Sequence, residues 1–367
     1  MRPQHLIATL LLFSMTSCTN SPEQEKLKAI DSHSEAVYIH DSWVRDPYII
    51  LADDGYYYLT GTMPLEDDER QYSDRYNIGL NEGSIVGNEV RLWRSVDLVN
   101  WESLGSPYSL KDTFAAYDEQ RVAKKRSGKV LWAPELHQVG GRWALVHCPQ
   151  IYSTLALSEG SEITNSWSHP SVDIFYQKHD PSLFCDDGVW YLLWGNTSIA
   201  RINSDFTALE TKPVRIDPSD RVIGHEGATM RKIGDKYVHF GTAWSADNKR
   251  TGGGSYNLYY CTSDCVMGPY SERRFAGRFL GHGTPFQDKS GNWWCTAFFN
   301  GDVPPVDDTN IESVDLGGVA QSINEQGTTI VPLEVRILED GDIFIRAKDP
   351  RYRNPGPDEV QHFERID

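Results

Sequence analysis

Long apolar runs are missing from this 367-residue chain. The longest, Leu6 to Phe13, is too short to span a membrane and, with Arg2 and His5 ahead of it, fits an export signal. Basic residues are scarce too. Thirty-five Lys and Arg stand against 52 Asp and Glu, for a formal charge of −17, which argues against nucleic acid as a partner. Cysteine is sparse: after Cys18 come only Cys148, Cys185, Cys261, Cys265 and Cys295. An odd number with no CxxC or Cys/His cluster excludes a disulfide framework and a sequence-local zinc motif. Cys261 and Cys265 are close enough to pair, but unbridged buried thiols are the preferred reading. Long segments of helical period are also absent.

At the N-terminus, Ser14-Met15-Thr16-Ser17 sets small residues before Cys18, in the manner of a bacterial lipobox. Cys18 would then be the lipidated first residue of the mature protein, and an ordinary signal cleaved nearby is the other reading. The chain divides into a lipoprotein-type signal (residues 1–17), a polar tether (18–36), one domain (37–350) and a C-terminal tail (351–367). The expected location is the periplasm, outer membrane or cell surface, with the lipid at Cys18 as the only membrane contact.

What the domain does have is turns. Short aromatic and β-branched runs alternate with Asp-Gly, Gly-Gly, Gly-Asp and Ser-Gly, the pattern of antiparallel hairpins. Five segments align on turn glycines Gly55, Gly141, Gly188, Gly234 and Gly291, with gaps of 86, 47, 46 and 57 residues. The long first gap holds an acidic insertion, Pro64 to Gly87. Further alternating runs, Val90–Ser95 and Tyr256–Ser263, supply additional strands. The repeat predicts an all-β fold, a five-bladed β-propeller. A β-sandwich is the runner-up, but it does not call for matched polar residues at one point of every unit.

In a propeller the first strand of each blade lines the central channel, so its starting residues meet around one end of the axis. The alignment places Asp46, Glu135 or its neighbour Trp132, Asp180, Glu226 and His282 there. Singly, an Asp before Pro is a common turn former. Turn-making does not require convergence on an axis, however, and three carboxylates that converge have the parts of a sugar-cleaving site. An inverting hydrolase needs one acid to protonate the leaving oxygen and a second carboxylate to activate water. A third raises the pKa of the acid by like-charge proximity.

Arg45-Asp46-Pro47-Tyr48, Trp132-Ala133-Pro134-Glu135, His179-Asp180-Pro181-Ser182 and Glu226-Gly227-Ala228 resemble the motifs of glycoside hydrolase family 43. So do Ser95 to Trp101 and Gly281-His282-Gly283. The resemblance covers residues 38 to about 345. It implies a five-bladed propeller and inversion at the anomeric carbon, with Asp46 as general base, Asp180 as pKa modulator and Glu226 as general acid. Family substrates are mostly arabinose-, xylose- or galactose-containing glycans. There are departures: Gly227-Ala228 replaces Gly-Pro, Glu135 replaces Asp, and His225 precedes Glu226. A His-Glu pair there is similar to family 117, which removes 3,6-anhydro-L-galactose and in which the histidine serves as proton donor. His225 is thus either an acid, a substrate contact or a strand-flanking residue.

Trp43, Arg45, Trp132, Glu135, His179, Trp244 and His282 are the expected sugar contacts. The partner is an oligo- or polysaccharide and no cofactor is required. In arabinan-cleaving relatives a histidine matching His282 coordinates calcium or its waters, which leaves a structural Ca2+ in the channel as one reading and a hydrogen-bonded histidine as the other. The glycine-rich stretch Arg250–Ser255 lacks the Lys-Ser/Thr of a phosphate loop and reads as a rim loop. Exo action is expected, and a non-catalytic carbohydrate-binding propeller is the reading of another class.

Overall fold

The structure, a computed structural model, describes residues 20–73, 85–110, 130–148, 154–169, 178–244, 256–298 and 327–354. The signal segment with Cys18, the Arg250–Ser255 loop and residues 355–367 lie outside the described residues. Among those described, no helix is long and apolar enough to cross a membrane.

The chain opens with helix α1 (Pro22–Ser32) and strand β1 (Val37–His40). Four antiparallel four-stranded sheets follow. Their strands are β2 (Arg45–Leu51), β3 (Tyr57–Thr62), β4 (Glu89–Ser95) and β5 (Glu102–Ser109); then β6 (Trp132–Val139), β7 (Arg142–Cys148), β8 (Thr154–Ser158) and β9 (Trp167–Ser168). The third sheet comprises β10 (Ser182–Asp186), β11 (Val189–Trp194), β12 (Ser198–Ile202) and β13 (Val214–Arg215). The fourth is β14 (Glu226–Ile233), β15 (Lys236–Trp244), β16 (Tyr256–Ser263) and β17 (Arg274–Gly277). The fifth holds β18 (Pro285–Gln287), β19 (Trp293–Ala297) and β20 (Thr328–Ile337), and its outer strand is β1. The N-terminal strand therefore closes the ring by pairing with β20, and β21 (Ile343–Ala347) extends that strand's far half. This is a five-bladed β-propeller.

The core is a ring of wedges between blades. Tyr58 and Leu92 of blade one meet Leu136, Leu145 and Trp167 of blade two. Val146 and Leu155 meet Leu183 and Leu192, and Phe184 and Leu193 meet Met230 and Tyr259. Phe240 and Leu258 meet Cys295 and Val331; Trp294 and Ile330 close the circle on Ile49, Leu59 and Trp93. Each blade buries both faces, which is why its strands carry apolar and aromatic residues in long runs rather than strict alternation.

Three expectations are revised. The segment read as a tether is a docked helix. Ser21 and Gln24 form a capping box, and Ala29 and Ile30 pack against the junction of blades five and one. Buried His33 meets the Trp293 carbonyl at 2.7 Å and the Lys348 ammonium at 2.9 Å. Composition hid this because capping and end contacts, not an apolar face, hold the helix. At the other end, Tyr352 and Asn354 are buried, so the packed body extends beyond residue 350. The unbridged cysteines are not all buried: Cys185 and Cys265 are exposed.

Trp294 is fully buried at the closure and donates through its indole N–H to Asp288 at 2.9 Å. Trp294→Ala should cost about 3–5 kcal/mol of stability, read from the urea unfolding midpoint. A loss below about 1 kcal/mol would show that the five–one junction does not hold the ring closed.

Candidate active site

Every inner strand begins with the same backbone device. Asp46, Ala133, Asp180, Gly227 and His282 have φ of 49°, 42°, 43°, 65° and 55°. In blades one, two and four the ladder register shows one extra residue at that point, between Arg45 and Tyr48, Trp132 and Glu135, and Glu226 and Thr229. That is a β-bulge, and it re-aims the side chain at its corner. A non-glycine residue at positive φ costs about 1–3 kcal/mol, so its repetition marks a built site. Glycine suits blade four for a second reason: a Cβ at Gly227 would stand 2.8 Å from Thr242 Oγ1 and 3.2 Å from the His282 ring.

The bulges correct the alignment drawn from turns. Blade two contributes Ala133 to the corner, not Glu135 or Trp132, and blade four contributes Gly227, with Glu226 one residue upstream. Two tiers result. The corner tier carries Asp46, Asp180 and His282, whose side chains are 9%, 6% and 16% exposed. The upstream tier carries Arg45, Trp132, His179 and Glu226, and is more open, with His179 at 38% and Glu226 at 29%. Glu135 lies two residues beyond its corner, in the wall below, where it pairs with His137 at 3.1 Å.

Within the two tiers, carboxylates and imidazoles alternate. His282 Nδ1 lies 3.2 Å from Asp46 Oδ1, and its Nε2 lies 3.9 Å from Asp180 Oδ2. His179 Nε2 lies 3.2 Å from Asp180 Oδ2 and 3.4 Å from Glu226 Oε2. His225 Nε2 is 3.5 Å from Glu226 Oε1, and the Tyr256 hydroxyl donates to that same oxygen. Thr62 Oγ1 donates to Asp46 Oδ2 at 2.8 Å while accepting the Ala133 N–H at 2.7 Å. Thr242 Oγ1 likewise accepts the His282 N–H at 3.0 Å, so each threonine braces the corner residue of the next blade.

These contacts set the charges. Burial pushes the Asp46 carboxyl up, but His282, Arg45 and the Thr62 hydroxyl outweigh it and hold the group below its usual range. For Asp180 burial prevails, reinforced by Glu226 and Asp46, and its pKa is raised. Glu226 is also penalised by burial, yet His179, His225 and Tyr256 hold it well below the usual carboxylate range. His282 is raised to about 10 by Asp46 and Asp180 against the cost of burial. His179 is raised to about 11 through its contacts with Cys148 and Glu226. Besides the Tyr256 hydroxyl, the protonated imidazole of His179 thus faces Glu226.

A structural calcium does not fit His282 as ligand. Both of its ring nitrogens face carboxylates and the ring is held cationic, whereas Ca2+ takes oxygen ligands. His282 stands where a cation would stand, between Asp46 and Asp180.

Other expected contacts separate. Trp132 is half-buried in the upstream tier, and the Arg45 guanidinium lies 5.1 Å from the Phe298 ring. Trp43 is 1% exposed and packs on Ile85 and Val86, leaving no face for a sugar. The side chain of Trp244 lies outside the described residues; its backbone ends β15 opposite Tyr256. Thr62, Cys148 and Tyr256 escaped the sequence reading. Each sits on a second or third strand, where only the pairing register shows which corner it reaches.

Thr62→Val should raise the Asp46 pKa, because the carboxylate loses a donor. A hydrogen bond to a charged group worth about 1.5–3 kcal/mol corresponds to about one to two pH units. A carboxyl-carbon NMR titration of Asp46 reads it, and an unmoved midpoint would remove Thr62 from the site.

The fold agrees with comparisons to known proteins. Residues 39–310 match the family described as Glycosyl hydrolases family 43. The chain is 26% identical over 213 residues to the Alpha-L-arabinofuranosidase 43 of Humicola insolens, a match spanning 52% of this chain and 36% of that relative. The solved endo-1,4-beta-xylanase of Bacteroides thetaiotaomicron superposes with a TM-score of 0.55 at 20% identity, over 84% of this chain and 96% of the other. An exo-1,5-alpha-L-arabinanase from a bovine ruminal metagenomic library gives 0.54 at 16% identity, over 83% and 96%. The fold is common to this chain and the two solved structures. With the family match over most of its length, the chain belongs to glycosyl hydrolases family 43.

Proposed function

We propose that the protein is an inverting, exo-acting glycosidase that releases a terminal pentose, arabinofuranose or xylose, from plant cell-wall oligosaccharides. The observation that carries the mechanism is the unequal treatment of the three carboxylates. Asp46 is buried, braced by Thr62 and held ionised by His282, as suits a general base. Glu226 is in the more open tier and touches two imidazoles and a phenol, as suits a group that exchanges a proton with a departing oxygen. Asp180 lies between them, linked to one side by His282 and to the other by His179.

The step balances simply. Asp46 takes a proton from water, whose oxygen bonds to the anomeric carbon. The glycosidic C–O bond breaks on the opposite face, and the departing oxygen takes a proton from Glu226. Glu226 is held ionised, so it first takes that proton from His179 Nε2, 3.4 Å away, which leaves the imidazole neutral. The pentose assignment draws on the arabinofuranosidase, xylanase and arabinanase among the similar proteins. Exo action draws on the exo-1,5-alpha-L-arabinanase among them.

Proton NMR of the first-formed product should show the inverted anomer. Asp46→Asn should lower kcat by about 10²–10⁴ while leaving oligosaccharide binding in place. A retained anomer, or near-normal turnover in that variant, would overturn the reading, and loss of binding as well would point to a carbohydrate-binding propeller.

The second reading, His225 as proton donor, is favoured by the 3.5 Å contact between His225 and Glu226. Glu226→Gln should lose about 10²–10⁴ in kcat on natural linkages but little on aryl glycosides whose leaving group needs no proton. His225→Gln should keep the basic limb of the pH profile. If that limb disappears only in His225→Gln, the histidine is the acid.

A further inference from the structure

Blades two and three bring a thiol, an imidazole and a carboxylate together beside the acid. Cys148, at the end of β7, places its Sγ 3.6 Å from His179 Nδ1. Asp180, whose buried Oδ2 lies 3.2 Å from His179 Nε2 without a hydrogen bond, completes the group. One ligand atom from each of Cys148, His179 and Asp180 lies within 4.8 Å of the other two. Spacing in the chain conceals this, because 31 residues separate Cys148 from His179.

From this geometry we infer that Cys148, His179 and Asp180 form a binding site for a thiophilic divalent cation such as Zn2+, and that its occupation blocks the hydrolase. A tetrahedral zinc with Zn–S of about 2.3 Å and Zn–N of about 2.0–2.1 Å sets those two ligands roughly 3.6 Å apart. The Cys148–His179 separation is 3.6 Å. The other imidazole nitrogen is already oriented, since His179 Nε2 lies 3.4 Å from Glu226 Oε2. A metal-bound histidine whose remaining N–H goes to a carboxylate is the usual outer arrangement of such sites. Binding expels the Cys148 thiol proton and the His179 Nδ1 proton to solvent, and Asp180 enters as carboxylate. A water from solvent takes the fourth position. His179 then keeps its Nε2–H toward Glu226 but, as a neutral metal-bound imidazole, no longer has a spare proton to pass to it, and Asp180 is held by the metal.

Cobalt(II) titration tests the site in the full chain, in a Cys185→Ser/Cys265→Ser background that removes the exposed thiols. A near-ultraviolet thiolate-to-cobalt band should grow to about one equivalent and be displaced by Zn2+. Cys148→Ser should abolish the band, and His179→Ala should do the same if the serine variant fails to fold. Glu226→Gln should weaken zinc binding by about 10–100-fold by calorimetry. Zinc inhibition of turnover should disappear in Cys148→Ser, and this arm alone rests on the proposed glycosidase mechanism. Absence of the band, or zinc affinity unchanged by Cys148→Ser, would overturn the inference.

Discussion

The positive-φ corner that opens each inner strand is the constraint on which the rest of the molecule depends. It recurs five times around the ring, with a β-bulge at it in blades one, two and four, and it aims the corner residue toward the axis. The backbone repeats, and the residues do not: Asp, Ala, Asp, Gly and His occupy equivalent corners. The ring of inter-blade wedges holds these corners at fixed distances, and threonines on the second strands brace them from the preceding blade. Strain at the corner is thus opposed by packing over the whole blade, which is the condition under which such strain persists.

Chemistry enters through the substitutions. Three acids converging in a low-dielectric channel would repel one another and take up protons. Two imidazoles standing between them outweigh this at the two ends, Asp46 and Glu226, while Asp180 in the middle keeps a raised pKa. The two ends of that row are not alike. Asp46 has a hydroxyl donor and a buried cation, which fix it as carboxylate. Glu226 is half open and coupled to His179 and His225, so a proton can reach or leave it without a charge being stranded. The centre carboxyl, Asp180, has the raised pKa and so tracks the proton inventory of both neighbours.

Much of this was legible in the sequence, and the boundary is physical. Hairpin turns leave local marks, so Gly55, Gly141, Gly188, Gly234 and Gly291 revealed five blades. Asp46, Asp180 and His282 lie at corners where a polar residue is conspicuous. The bulge, in contrast, is a property of pairing. The motifs pointed to Glu135 or Trp132 and to Glu226, while the ladder puts Ala133 and Gly227 at the corners. Glu135 lies two residues beyond its corner, and Glu226 lies one before its own, as His179 does in the preceding blade. Trp43 looked like a platform because it adjoins Arg45, but burial is decided by Ile85 and Val86, distant in the chain. The helix over Pro22–Ser32 was missed because its polar composition resembles a linker, and its docking rests on His33 reaching Trp293 and Lys348 across the closed ring.

Cys148 shows the same rule at its sharpest. It pairs with Trp132 across the ladder, at the position that Thr62 occupies opposite Arg45 and Thr242 opposite Glu226. In blades one and four that position holds a hydroxyl, and the hydroxyl braces a backbone N–H of the next blade. In blade two it holds a thiol, and the thiol instead reaches the imidazole of His179. The exchange of oxygen for sulfur at one repeated position gives up a brace and creates a soft ligand beside the acid. A site assembled from equivalent positions of a repeat gains new chemistry wherever one repeat departs from the others, and blade two departs here.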